Sequence, residues 1–133
     1  MRLVNQVNTE QSKLLLVFNF VFMKLLSWNT RGINSLRKMK ILYQNIKRTN
    51  PAIVFLQETK CQAKFIQECR SKIWDRCESM GIDSKDFSRG LCILWDSTWV
   101  SLSDMQGTHN SISANFKVLC FPISRLIMNV YGP

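Results

Sequence analysis

Histidine is almost missing from this chain. There is one, His109, in 133 residues, which excludes a His-rich metal site or a two-histidine mechanism within it. Acids are scarce as well, with nine Asp and Glu against eighteen Lys and Arg. No CxxC pair occurs. The five cysteines, at 61, 69, 77, 92 and 120, are odd in number and lack the close or paired spacing of zinc sites and disulfide frameworks. They read as reduced, mostly buried thiols in a reducing compartment. That implies an intracellular chain, nuclear or cytoplasmic and not secreted, with no disulfide-linked partner. Long apolar runs are missing too. Leu14 to Met23, LLLVFNFVFM, is too short to span a bilayer, and no small-residue cleavage site follows it. No membrane partner is expected. The run reads as a greasy leader or an added strand, so residues 1–22 stand apart from a domain at 23–133. Residues 1–13 are polar and carry little structural signal.

What is present is ordinary globular material. The chain is 46% hydrophobic, which argues against disorder, and its length suits one domain or part of a larger one. The isoelectric point near 9.7 favours a polyanionic partner, either nucleic acid or an acidic surface. The charge is concentrated. Lys24 to Lys60 holds eight Lys or Arg and one acid, Glu58, hence seven of the nine net positive charges.

That stretch predicts strand, polar loop, basic helix, turn and strand. Lys24 to Trp28 is a buried strand. Asn29 to Gly32 is a loop, with Gly32 free to take positive φ, and Asn34 or Ser35 caps the next helix. In the helix Leu36, Met39, Tyr43 and Ile46 fall on one face at helical spacing. Arg37, Lys38, Lys40 and Lys47 lie mostly off it, as residues of a solvated helix surface also do. Asn50-Pro51 stops the helix, and Ala52 to Gln57 is a second buried strand. Such a βαβ unit makes the two strands neighbours or near-neighbours with their carboxyl ends at one edge. Asn29 and Glu58 then approach each other. An amide and a carboxylate among basic charge suit a hard divalent cation and a phosphate, although most glutamates at strand ends are simply solvated.

Further on, Cys61 to Trp74 predicts an amphipathic helix with Phe65, Cys69 and Ile73 inward. Short strands are expected at Met80 to Ile82, at Leu91 to Trp95 and at Thr98 to Leu102, the last two joined by an Asp96-Ser97 turn. Asp104 to Asn110 reads as a loop. Ser111 to Phe116 alternates as a half-buried strand, Val118 to Phe121 pairs back, and Arg125 to Val130 is the last strand.

With Trp28-Asn29, Gln57-Glu58-Thr59-Lys60 and Asn129-Val130-Tyr131-Gly132-Pro133 in view, the sequence resembles the endonuclease/exonuclease/phosphatase family. Within it the resemblance is to the apurinic-type endonuclease domain of LINE-type non-LTR retrotransposons. LLSWNTRGINS followed by NPAIVFLQETK carries most of it, and Ser88 to Trp95 continues it, with Arg89 where the family has the first of two glycines. The resemblance implies an α/β sandwich, incomplete here, of about one sheet plus flanking helices. It implies a divalent metal, magnesium or alternatively manganese, weakly held by this chain. Glu58 would be the principal metal ligand. Asn29 would orient the metal-bound water or phosphate, and Tyr131 would donate a hydrogen bond to that phosphate. Arg31, Arg37, Lys38, Lys40 and Lys60 would face DNA, the expected partner.

The sequence departs from the family by lacking its Asp-x-Asn and Ser-Asp-His motifs, and His109 does not replace the latter. A general base is worth about two to four powers of ten in rate. The expectation is therefore an amino-terminal half of a nuclease, inactive alone, with an uncovered sheet face that promotes self-association unless the leader covers it. A non-catalytic nucleic-acid-binding remnant and a phosphatase of the same family are the alternatives.

Overall fold

The computed structural model describes residues 23–83, 90–108, 110–120 and 122–130, together with the backbone of 2–6 and 15–20. The central unit is the expected one. Strand β3 (Met23–Asn29) leads through helix α1 (Leu36–Thr49) to strand β4 (Ile53–Gln57). The two strands are parallel neighbours, with Leu25 opposite Ile53 and Asn29 opposite Gln57. Ser35 is the N-cap of α1, its Oγ accepting from the Lys38 N–H at 3.2 Å. Asn50 closes the helix in the left-handed region, its N–H donating to the Ile46 carbonyl.

Around this unit lie β1 (Arg2–Gln6), β2 (Leu15–Phe20), α2 (Ala63–Ile73), β5 (Cys77–Ile82) and β6 (Leu91–Asp96). The strands form a six-stranded sheet ordered β1-β2-β3-β4-β6-β5. A second, three-stranded sheet follows in simple order from β7 (Val100–Gly107), β8 (Ser111–Val118) and β9 (Ser124–Val130).

The hydrophobic pattern explains the layers. A strand buried on both faces reads as a continuous apolar run, and β4 does. Val54 and Leu56 join Leu26, Trp28 and Leu94 against Leu42 and Ile46 of α1 and Ile66 and Ile73 of α2. Ile53 and Phe55 turn the other way, packing with Leu25, Leu91 and Ile93 against Ile112, Phe116, Val118 and Ile127 of the second sheet. Strand β8 has one wet face, so it alternates. Ile112, Ala114, Phe116 and Val118 are buried, while Ser111, Ser113, Asn115 and Lys117 are not.

Several expectations are corrected. The inner face of the first sheet is not bare, because β7–β9 cover it. Self-association through an uncovered face therefore loses its basis. The Leu14–Met23 run contributes an added strand, β2, paired antiparallel along β3, and Arg2–Gln6 of the polar leader adds β1 beyond it. Asp96-Ser97 does turn the chain, but it does not make a hairpin of the flanking strands. Strand β6 belongs to the first sheet and β7 to the second, so the turn passes the chain between layers. Asp104 to Gly107 is not loop but part of β7, whose register against β8 shifts between Ser103 and Gln106. That bulge, with Asp104 at φ 53°, accommodates the polar residues. Gly107 lets Ile82 pack close to the strand, since a Cβ on it would lie 2.7 Å from Ile82 Cδ1 and that side chain would have to shift. Val118 completes β8 and its N–H bonds the Ile123 carbonyl at 3.0 Å; Phe121 lies outside the described residues.

The buried face of α1 also differs. Leu42, Asn45, Ile46 and Thr49 are buried, while Leu36 is 86% exposed and Tyr43 40%. The polar members can be buried because the helix itself satisfies them. Asn45 Nδ2 donates to the Ile41 carbonyl at 3.0 Å, and Thr49 Oγ1 to the Asn45 carbonyl at 2.7 Å. In α2 the buried residues are Ile66 and Ile73, with Phe65 and Cys69 half-buried. All five cysteines are free thiols. Among the described residues no helix is long and apolar enough to cross a membrane.

Candidate functional site

The site begins where β3 and β4 end side by side. Asn29 is in register with Gln57, so Glu58 is the first residue past the ladder. The two loops then continue the pairing. The Thr30 N–H donates to the Gln57 carbonyl at 2.9 Å, Gly32 to the Glu58 carbonyl at 2.7 Å, and Ile33 to the Thr59 carbonyl at 3.0 Å. Thr30, fully buried, adds its hydroxyl to the Gln57 and Glu58 carbonyls at 3.2 and 3.0 Å. Thr59 is fixed from the other side, its N–H donating to the Gly90 carbonyl at 3.1 Å. Asn29 and Glu58 thus share one rim, both half-buried. Asn29 Oδ1 accepts from the Arg31 N–H at 3.2 Å.

This rim is held in unusual backbone. Arg31, Glu58 and Lys60 take positive φ of 53°, 50° and 56°, beside Gly32 at 100° and Gly90 at 115°. Each non-glycine in that region costs about 1 kcal/mol, and such strain concentrates at functional edges. The paired loops impose it here. Gly32 is favoured by its φ and not by lack of space, since a Cβ there would meet Lys60 Cδ at an ordinary 3.6 Å.

Four of the five cations expected to face DNA gather at the rim. Lys38 donates from Nζ to the Thr30 carbonyl and lies 5.7 Å from the centre of the Trp28 ring. Its pKa falls below 10.5, first through burial and then through the charges of Arg37, Arg31 and Lys60. Lys40 is not with them and lines a groove between α1 and α2. The one ion pair among the described residues, Lys64 with Glu68 at 3.9 Å, leaves the rim cations unneutralised.

Sequence reasoning passed over the support of this rim. Asn129 is fully buried in β9. Its Nδ2 donates to the carbonyls of Leu56 at 3.1 Å and Cys92 at 2.9 Å, and its Oδ1 accepts from Gln57 Nε2 at 2.7 Å. Gln57 Nε2 also reaches Ser27 Oγ at 3.0 Å. One amide therefore ties the second sheet to β4 and β6 beside Glu58. Its signal was available: Asn129 has the same parity as the inward Ile127. Tyr131, Arg89 and His109 lie outside the described residues.

Among the described residues no group of three or more His, Cys, Asp and Glu could hold a metal. The rim does offer hard oxygen donors, the Glu58 carboxylate and the Asn29 amide. That set fits magnesium, which keeps several waters and takes one or two protein carboxylates.

No family profile matches the chain, and no curated protein matches it in sequence. Solved structures do match in fold. The human Nocturnin catalytic domain with a bound sulfate anion superposes with a TM-score of 0.60 at 13% identity, over 78% of this chain and 47% of its own. The AP endonuclease LMAP of Leishmania major gives 0.61 at 15% identity, over 80% and 39%. The APE2 catalytic domain of Xenopus laevis gives 0.60 at 18% identity, over 84% and 45%. The chain thus spans between 39% and 47% of these structures' lengths. Over the part it spans, it has the mixed α/β fold of the endonuclease/exonuclease/phosphatase proteins.

Proposed function

We propose that the chain supplies the metal- and phosphate-holding rim of a phosphodiester-cleaving nuclease of LINE-type retrotransposon origin, with DNA as its polyanion. The observation that carries this is the shared rim, where Asn29 faces Gln57 in register and Glu58 follows it. The solved relatives favour it. They include an AP endonuclease and a D. rerio TDP2 complexed with a single strand DNA product, matched at a TM-score of 0.58 and 17% identity over 78% of this chain and 43% of its own. Retrotransposon origin draws support from LLSWNTRGINS and NPAIVFLQETK.

In this reading Glu58 is the carboxylate that would hold a magnesium or manganese ion, with Asn29 beside it. A bound divalent cation would supply charge neutralisation at an anionic phosphodiester. Arg31, Arg37, Lys38 and Lys60 draw in the polyanion, and Tyr131 would hydrogen-bond the phosphate. The free thiols accord with an intracellular setting, and residues 1–22 form an extension to the domain at 23–133.

These 133 residues contain neither an Asp-x-Asn nor a Ser-Asp-His, so the chain alone binds DNA without cutting it. Supercoiled plasmid incubated with the chain and magnesium should show no nicking above background. Nicking that vanished in Glu58→Ala would overturn the inactivity while assigning Glu58 to catalysis. Manganese binding followed by electron paramagnetic resonance should weaken in Glu58→Gln, and unchanged binding would remove Glu58 as the ligand.

A further inference from the structure

Helix α1 carries two apolar sides, and the core uses the second only in part: Met39 packs half-buried against the core, whereas Leu36 and Tyr43 are exposed. Leu42 and Ile46 are buried against the sheet. Leu36, Met39 and Tyr43 line a groove together with Phe65 and Cys69 of α2, and Ile73, a buried core residue, lies in its wall. The groove holds about 440 Å³, and Leu36 at its mouth is almost fully exposed. The α1 row is spaced i, i+3, i+7 and the α2 row i, i+4, i+8, so each runs two helical turns, about 10 Å. Two such rows flanking a groove are the kind of surface an amphipathic helix lays its apolar face into.

Charge defines the occupant. Helix α1 contains Arg37, Lys38, Lys40, Lys47 and Arg48 and no acid. Helix α2 adds Lys64, Arg70 and Lys72 against Glu68 alone, and Glu68 is already paired with Lys64. Lys40 and Lys72 line the groove itself, and Lys47 Nζ sits 5.3 Å from the Tyr43 ring centre. A second copy, with its own +9 charge, is repelled. We propose that the α1–α2 groove is a docking site for an acidic amphipathic helix of a partner protein, separate from the Asn29–Glu58 rim.

The probe is a fluorescein-labelled peptide of about 16 residues, long enough to form helix on docking, with leucines at i, i+3, i+4 and i+7 and glutamate on its other face. Fluorescence anisotropy with the full chain should show saturable binding. Leu36→Asp should weaken it roughly tenfold, as loss of an anchor side chain does. Lys72→Glu should weaken it too, and should bind a lysine-faced version of the peptide better than the parent chain does. Leu36 is exposed, so circular dichroism melts of Leu36→Asp should match the parent, which separates lost docking from lost folding. Equal binding of a scrambled peptide, no loss in Leu36→Asp, or no saturation would each overturn the proposal. So would a single-stranded oligonucleotide that displaced the peptide and itself bound less well to Leu36→Asp, because the groove would then belong to nucleic acid. Glu58→Gln should leave peptide binding unchanged, so the nuclease proposal can fail without this one failing.

Discussion

Lys60 shows how the rim is built. It is charged, it follows Glu58 by two positions, and its φ of 56° lies where glycine is favoured. Its side chain lies against Gly32, and its charge is among those that lower the Lys38 pKa. The strain and the charge can be separated. Lys60→Gly and Lys60→Ala both remove the cation, so both should reduce the slope of log K for DNA against log salt by roughly 1. Only glycine relieves the backbone, so Lys60→Gly should be the more stable variant by about 1 kcal/mol in urea unfolding. At an ordinary helical surface position the order would reverse. Equal stabilities would mean that the left-handed conformation is not enforced in solution. The lysine was legible in the sequence as a basic residue near Glu58. Its backbone conformation was not, because the pairing of two loops nearly thirty residues apart imposes it.

At the scale of the element, the edge of the first sheet matters most. Residues Leu15 to Phe20 pair with Trp28 to Met23, along all of β3 but its last residue, Asn29. Deleting residues 1–22 therefore strips one edge of the strand that carries Asn29. An exposed strand edge with apolar residues on both faces is an aggregation site. The deleted chain should elute from size-exclusion chromatography with a larger aggregate fraction than the full chain. An elution profile unchanged from that of the full chain would show that β2 does not protect the edge. The sequence suggested a leader that shields a sheet face, whereas in the fold its strands β1 and β2 extend a sheet edge. An apolar run gives no sign of which strand it will pair with. Helix α1 makes a related point. Its Leu36-Met39-Tyr43 stripe has good helical spacing, yet full burial went to the side bearing Leu42, Asn45, Ile46 and Thr49, where the sheet lies.

For the whole molecule, buried thiols and one lysine set the alkaline limit with opposite signs. Burial pushes Cys77 from its ordinary 9.0 up to about 12, and pushes Cys92 well above 9.0. Each keeps its proton in the fold where the unfolded chain gives it up. The stability they contribute is complete below pH 9.0 and is lost as pH rises through their folded values. Lys38 is lowered from 10.5, so the unfolded chain binds more protons there. Its charge therefore weakens the fold at neutral pH, and relief comes as pH climbs from its folded value towards 10.5. Two buried thiols outweigh one partly solvated amine, and the melting temperature should fall steadily above pH 9.0. Cys77→Ala should melt lower at neutral pH, because it leaves a small cavity, yet show a flatter decline between pH 9.0 and about 12. Parallel declines in calorimetric scans across that range would rule the thiol out as the cause.

By itself the sequence determined the strand–helix–strand unit, its polar caps, and the meeting of Asn29 and Glu58 at one rim. Those follow from local periodicity and from the short reach of a crossover connection, both of which are written in adjacent residues. Tertiary structure alone decided the rest: that β6 and β7 part into different sheets, that Asn129 clamps the layers beside Glu58, and that the apolar stripe of α1 opens on a groove. Burial and hydrogen bonding between elements depend on which surfaces meet, and neither side of such a contact encodes its partner.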